Sequence, residues 1–319
     1  MKRFVDIILK NRKILQGVFG VLLLAIVIWR SNPKGLLLAM HDAPLIYFVP
    51  WMIIYFIITV LSWSIGVYGL LVRMRHGGLG RLISASFKLQ VLSTVTPGRV
   101  GDLGLLFFLK DRYTLGQLSA VVLVDKIITL IVNIILALIG IGVFFSWRQA
   151  WLLAVIFLPC FLLLLWLVLK CPQALFKRGI LKTVIDKLHG FRVEMRSTFA
   201  DYRGIFVNLS LTVFRYLFAG FSLLLILSWF DIRVDLSRVI LIQAMSQLAS
   251  FLPLTIMGIG VQEALHVYLF GIINVASGII LAALLWGRAI HLFIIFSVYM
   301  CWVLLSPFVS KKIAGSHRL

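Results

Sequence analysis

Acidic residues are scarce in this chain of 319 residues. It has 11 Asp+Glu against 31 Lys+Arg, a formal net charge of +20. Cysteine is scarcer still. Cys160, Cys171 and Cys301 show no C-x-x-C spacing, which argues against a zinc site or a disulfide framework. They read as small apolar fillers near helix ends. Long polar stretches are also lacking. The longest, about Lys170 to Gly204, is too short to bury a core alone, so no separate soluble catalytic module is expected. There is no P-loop, no H-E-x-x-H and no G-x-S-x-G. Without a distinct basic domain, the positive charge does not point to nucleic acid.

What the chain does have is apolar length. It is 62% hydrophobic, with a mean hydropathy of +1.07, which places it among polytopic membrane proteins. A basic arm, Met1 to Lys13, precedes an apolar run from Ile14 to Trp29. No small-x-small cleavage site follows, so the run reads as an uncleaved first span.

A span needs about 20 apolar residues. Six stretches qualify: 14–30, 45–72, 115–146, 150–169, 205–229 and 278–305. Two more, 82–109 and 237–271, are broken near their middles by Pro and Gly. Each half is too short to cross, so both read as re-entrant helical hairpins. Loop charge supports this. Lys and Arg crowd the N-terminal arm, the segments around 73–88 and 110–112, the central loop and the C-terminus. These fall on one side only if each broken segment returns to its own side or crosses twice. The expectation is an all-α polytopic protein of six spans and two hairpins, a single transmembrane domain over 1–319. Both termini would be cytoplasmic, in the plasma (inner) membrane. Segments 45–146 and 205–305 would be inverted repeats of span, hairpin, span. In the loop 170–204, apolar residues from Leu181 to Phe199 follow a helical stripe with Lys and Arg off it. That pattern suits an interfacial helix on anionic lipid headgroups, or a docking surface for an enzyme of envelope-lipid synthesis.

The breaks carry the chemistry. The first is Thr96-Pro97-Gly98-Arg99-Val100-Gly101-Asp102. The second is Gly258-Ile259-Gly260-Val261-Gln262-Glu263. Each ends in a carboxylate and is followed by a cation deep in the next span. Lys126 comes 24 positions after Asp102, and Arg288 comes 25 after Glu263. Asp125 and Arg215 also lie near the middle of spans. An isolated charge there costs roughly 2.5–3.5 kcal/mol on the most lenient scale, so these charges should pair or face water. One reading is an ion-pair network that locks the repeats together. The other is an anion site. Arg99, Lys126, Arg215 and Arg288 would supply cations. Gly98, Gly101, Gly258 and Gly260 would let backbone N–H groups approach at half-helix N-termini. Asp102, Asp125 and Glu263 would serve as counter-charges or carry protons. Ser, Thr and Gln around the breaks, such as Ser84, Gln90, Gln243 and Ser246, would line a wet groove or bond helix to helix. Glu263-x-x-His266 has a metal-site spacing, but the first repeat offers no matching histidine. No metal or cofactor is expected.

These motifs, with Asp125-Lys126 and Arg288, resemble the transmembrane region of lysylphosphatidylglycerol synthases, over about residues 10–310. The resemblance implies a role in flipping lipids between leaflets. The soluble aminoacyl-transfer domain of those synthases has no counterpart here, so it does not imply synthase activity. Ile256-Met257 stand where the family usually has Pro-Gly. The expected function is a flippase for a phosphate-bearing lipid: a polyprenyl-phosphate carrier, a lipid-linked sugar, or an anionic or modified phospholipid. A membrane-embedded transferase acting on lipid-linked sugar and a non-catalytic accessory subunit are the alternatives.

Overall fold

The computed structural model describes residues 12–71, 78–95, 104–156, 193–248 and 258–316, with Pro159, Phe191 and Thr255. These residues form helices and no strands. In chain order they are α1 (Arg12–Arg30), α2 (Pro33–His41), α3 (Leu45–Leu71), α4 (Leu79–Val95), the single turn α5 (Leu105–Phe108) and α6 (Leu115–Phe144). Then follow α7 (147–156), α8 (193–200), α9 (Tyr202–Ser228), α10 (Leu236–Leu248), α11 (Val261–Ile272) and α12 (Ser277–Ser316).

Four helices are long and apolar enough to cross a membrane: α3, α6, α9 and the first 25 residues of α12. The sequence reading counted six. The fifth, α1, does not end in a loop. It turns by 93° into α2, so that α1 and α2 together make one bent element. The cause is local. Asn32 takes a left-handed φ of 56°, which Asn tolerates, and accepts a hydrogen bond from Gly35 N through its side chain. Pro33 then opens the new helix where its missing N–H costs nothing. The sixth, 150–169, falls mostly outside the described residues, although 147–156 is helical. Most of the interfacial stripe, 181–190, also lies outside them.

The start of α6 has a reciprocal cap. Thr114 Oγ1 accepts from Gln117 N, and Gln117 Oε1 accepts from Thr114 N. Beside it, Tyr113 is buried against Tyr68 at one rim of the bundle. Burial, reinforced by Tyr68 and opposed by Arg112, raises its hydroxyl above the usual tyrosine range.

Helices α3 and α9 run antiparallel in contact over their whole length. At one rim Gly204 lies against Gly69, and Gly66 against Asn208. At the other, Tyr47 and Phe48 lie against Trp229, and Trp51 against Phe218 and Phe221. Trp51 Nε1 also donates to Ser222 Oγ at 2.8 Å. Small residues close one end and aromatic rings fill the other.

The remaining helices pack around this pair. If α3, α4, α5 and α6 are exchanged with α9, α10, α11 and α12, every principal pairing among the eight has its image. Thus α4 meets α12 as α10 meets α6, and α3 meets α12 as α9 meets α6. Two apolar cores result. One gathers Leu70, Leu71, Leu82, Leu89, Leu105 and Leu118 near the Leu71 rim. The other gathers Phe48, Leu227, Ile242, Phe270 and Ile280 near the Leu45 rim. Large apolar side chains such as Ile46, Phe206 and Phe293 face outward, as expected where lipid is the solvent.

Candidate functional site

Among the described residues, the charges inside the apolar helices include two ion pairs. The first joins three helices. Asp125 of α6 is almost wholly buried, its side chain 1% exposed. Its Oδ1 accepts from Asn208 Nδ2 of α9 at 2.9 Å, and its Oδ2 from Trp63 Nε1 of α3 at 3.1 Å. Arg215 Nη2 of α9 stands 3.8 Å from Oδ1 and donates to Thr212 Oγ1 at 2.8 Å. Asn208, Thr212 and Arg215 recur at helical spacing on one face of α9. That period is readable in the sequence. Trp63 gave no such signal, because the fold alone brings it to a carboxylate 62 positions away.

The second pair lies at the break between α10 and α11. Gly258 and Gly260 both have positive φ, 69° and 82°, which side chains strain to adopt. The break also touches α1, where Gly20 faces Ile259 O and Thr255. Glu263, in the first turn of α11, folds back so that its Oε2 accepts from Gly260 N at 2.7 Å. Its Oε1 lies 2.6 Å from Arg288 Nη2 of α12, a close charge-assisted contact. Arg288 Nη2 also donates to Gln262 Oε1 at 3.1 Å. The carboxylate is 2% exposed, whereas the guanidinium side chain is 21% exposed.

His266 continues this cluster. Its Nδ1 lies 2.8 Å from Gln262 O and its Nε2 2.9 Å from Gln243 Oε1 of α10. The backbone carbonyl requires Nδ1 to carry a proton. The Nε2 contact is then satisfied by a turned Gln243 amide or by a second ring proton. Both ring nitrogens are engaged, and no group of three potential metal ligands occurs among the described residues. His291, one turn beyond Arg288, packs edge-on against Phe56.

The structure therefore does not bring Arg215 and Arg288 to one carboxylate. Each has its own. Lys126 is half-buried beside Asp125 but turned away by one helical step. Gly98, Arg99, Gly101 and Asp102 lie outside the described residues. The Gly260 N–H, expected to point at a ligand, is held by Glu263 instead.

Residues 14–298 match the family described as the lysylphosphatidylglycerol synthase TM region. No curated protein and no solved structure matches the chain. The match spans most of the sequence, and the chain belongs to that family. It is a multi-pass membrane protein of a lipid-related family.

Proposed function

From that membership and the second ion pair, we propose that the protein is a lipid translocase that moves a phosphate-bearing headgroup between leaflets past Arg288. In the proposed topology the two broken segments are re-entrant hairpins, the two halves are inverted repeats, and both termini are cytoplasmic in the plasma membrane. Several observations support it. Helix α11 has 12 residues, about 18 Å, too short to cross about 30 Å of hydrocarbon. The exchange of helices that preserves the packing relates the two halves. Basic loops favour the cytoplasmic placement.

The observation that carries the reading is the division of labour in Glu263. One oxygen is tied to the backbone at Gly260, and the other holds Arg288. Arg288 can therefore leave for a headgroup phosphate without unseating the carboxylate. The phosphate replaces one charge partner of Arg288 with another, while the Gly260 N–H stays on the carboxylate. Arginine's fork suits a tetrahedral anion, and the nearby N-terminus of α11 favours negative charge. The headgroup would cross while its tails remain in the bilayer.

The test is reconstitution into liposomes with a headgroup-labelled anionic lipid, reading leaflet exchange by quenching from outside. Wild-type protein should exchange the lipid without altering its mass, and Arg288→Ala should not exchange it. Equal rates from both proteins would overturn the proposal, and a covalently changed lipid would favour a transferase instead.

A further inference from the structure

We infer that the bent element α1–α2 is a strap across the second break, and that α1 must lift from it before Arg288 parts from Glu263. The inference rests on the translocase reading for its purpose, but not for its geometry. Glu263 belongs to α11 and Arg288 to α12, so the pair separates only if those two helices shift against each other. The elbow spans both of them. Helix α1 packs on α11, and α2 packs on α12.

The contact on the break is backbone against backbone. A Cβ added at Gly260 would stand 2.5 Å from Gly20 O and 3.0 Å from Leu24 N. One added at Gly20 would stand 3.1 Å from Ile259 O. Glycine at both positions is what lets α1 come this near. Gly260 is also the residue whose N–H seats Glu263 Oε2. The strap therefore rests on the point that positions the carboxylate, and its other arm is tied to the helix that carries the cation.

The two arms are held differently. Arm α2 is fixed on α12. Trp286 Nε1 donates to Met40 O at 3.1 Å, and a Cβ added at Gly278 would stand 3.1 Å from Leu36 N. The elbow end of α1 is fixed too, because Val27 packs in one core with Leu36, Leu281 and Ala282. Gly20 lies seven residues further along α1, about 10 Å away. There the hold is glycine against glycine. Within a bilayer such packing has no hydrophobic drive behind it, and acyl chains can replace it. The outer face of α1 is apolar and exposed at Val18, Val21 and Leu22, as suits a helix that moves in lipid. A lever pinned at the elbow and lightly held at the break is built to tilt.

The test is a disulfide that fastens the strap. Gly20→Cys and Thr255→Cys are combined in the full chain, with Cys160, Cys171 and Cys301 changed to Ala. A Cβ at residue 20 would lie 3.3 Å from the Thr255 Cβ, near the roughly 3.5–4.5 Å of a disulfide. The protein is reconstituted into liposomes with the headgroup-labelled anionic lipid, and deuterium uptake by the amides of 258–263 is read alongside leaflet exchange. Oxidation should stop leaflet exchange and slow that uptake, and reduction should restore both. Gly20→Leu, which wedges α1 off the break, should raise uptake at 258–263 above wild type and serves if the double variant does not fold. Equal leaflet exchange with the bridge formed and reduced would overturn the strap. So would a folded double variant that forms no bridge, or uptake in Gly20→Leu equal to wild type. The two readings separate. If lipid exchanges equally in both redox states, the strap falls and the translocase reading stands. If oxidation slows uptake but the reduced protein exchanges no lipid, the strap stands and the translocase reading falls.

Discussion

Two carboxylate–cation pairs sit at similar depth in this bundle, and they are built differently. Asp125 is enclosed by donors from other helices: Trp63 of α3, and Asn208 and Arg215 of α9. Its nearest guanidinium nitrogen is 3.8 Å away, so the neutral donors hold it more closely than the cation does. Glu263 has a backbone N–H from its own turn and one cation at 2.6 Å, and that cation is partly exposed. The first arrangement ties three helices together and leaves the carboxylate no freedom. The second fixes the carboxylate by its own turn and holds a cation that also bonds Gln262. On the proposed reading the first pair is a lock, with bonds spread over several helices, and the second supplies an exchangeable binding group.

The largest effect should come from breaking the lock. Asp125→Ala removes the acceptor for Trp63 and Asn208 and the carboxylate that faces Arg215. Removing one partner of a buried pair costs about 3–5 kcal/mol. Thermal unfolding in detergent should show a large drop in Tm, with little folded protein recovered. A Tm near that of wild type would mean that Asp125 is not structural.

Next in size is the exchangeable pair. Glu263→Gln keeps an acceptor for Gly260 N but removes the charge facing Arg288. A hydrogen bond to a charged group is worth about 1.5–3 kcal/mol, or roughly 10- to 150-fold. Leaflet exchange should change by that order, while Tm shifts much less than in Asp125→Ala. If the two variants lose stability equally, the distinction between the pairs fails.

The Asp125 lock depends on how closely α3 and α9 approach. A Cβ added at Gly204 would stand 2.6 Å from the Gly69 carbonyl oxygen, a backbone atom that cannot turn aside. Gly204→Ala should therefore destabilise by about 1–3 kcal/mol through overpacking, after a gain of up to about 1 kcal/mol in helix propensity. Because Asn208 lies one turn along, the variant should weaken the Asp125 lock and spare Arg288. Equal stability to wild type by thermal unfolding would show that the crossing is looser than this.

The sequence showed much of the fold, because membrane spans follow from length and hydropathy. It also showed that residues 258–263 are special, since Gly-x-Gly followed by a carboxylate has a local cause in backbone conformation and capping. It did not show which cation meets which carboxylate. Asp125 and Arg215 are 90 positions apart, and the packing of α6 against α9 sets their distance. Counting cations at one depth suggested a single site, because depth is readable from helical rise and rotation about the bundle is not. The bend at Asn32-Pro33 was missed for a different reason. A short apolar segment, Pro33–His41, reads as a loop unless the left-handed tolerance of Asn and the helix-opening role of Pro are taken together.

The smallest effects make the finest test, since they remove one neutral partner from each pair. Trp63→Phe keeps the ring that packs beside Leu70 and Leu89 but deletes the donor to Asp125 Oδ2. The lock retains Asn208 and Arg215, so the loss should stay at or below the roughly 1.5–3 kcal/mol of a hydrogen bond to a charged group. Exchange per folded molecule should not change. Gln262→Met deletes the acceptor that shares Arg288 Nη2 with Glu263. The salt contact survives, so Tm should move little. Arg288 loses a competing tether, so the lipid concentration needed for half-maximal exchange should fall while the maximal rate stays. The two substitutions are similar in kind: each removes one uncharged hydrogen-bond partner. If Trp63→Phe alters exchange per folded molecule, or Gln262→Met lowers Tm as far as Trp63→Phe does, then partners do not assign the roles. A change confined to stability in one and to lipid dependence in the other would mean that they do.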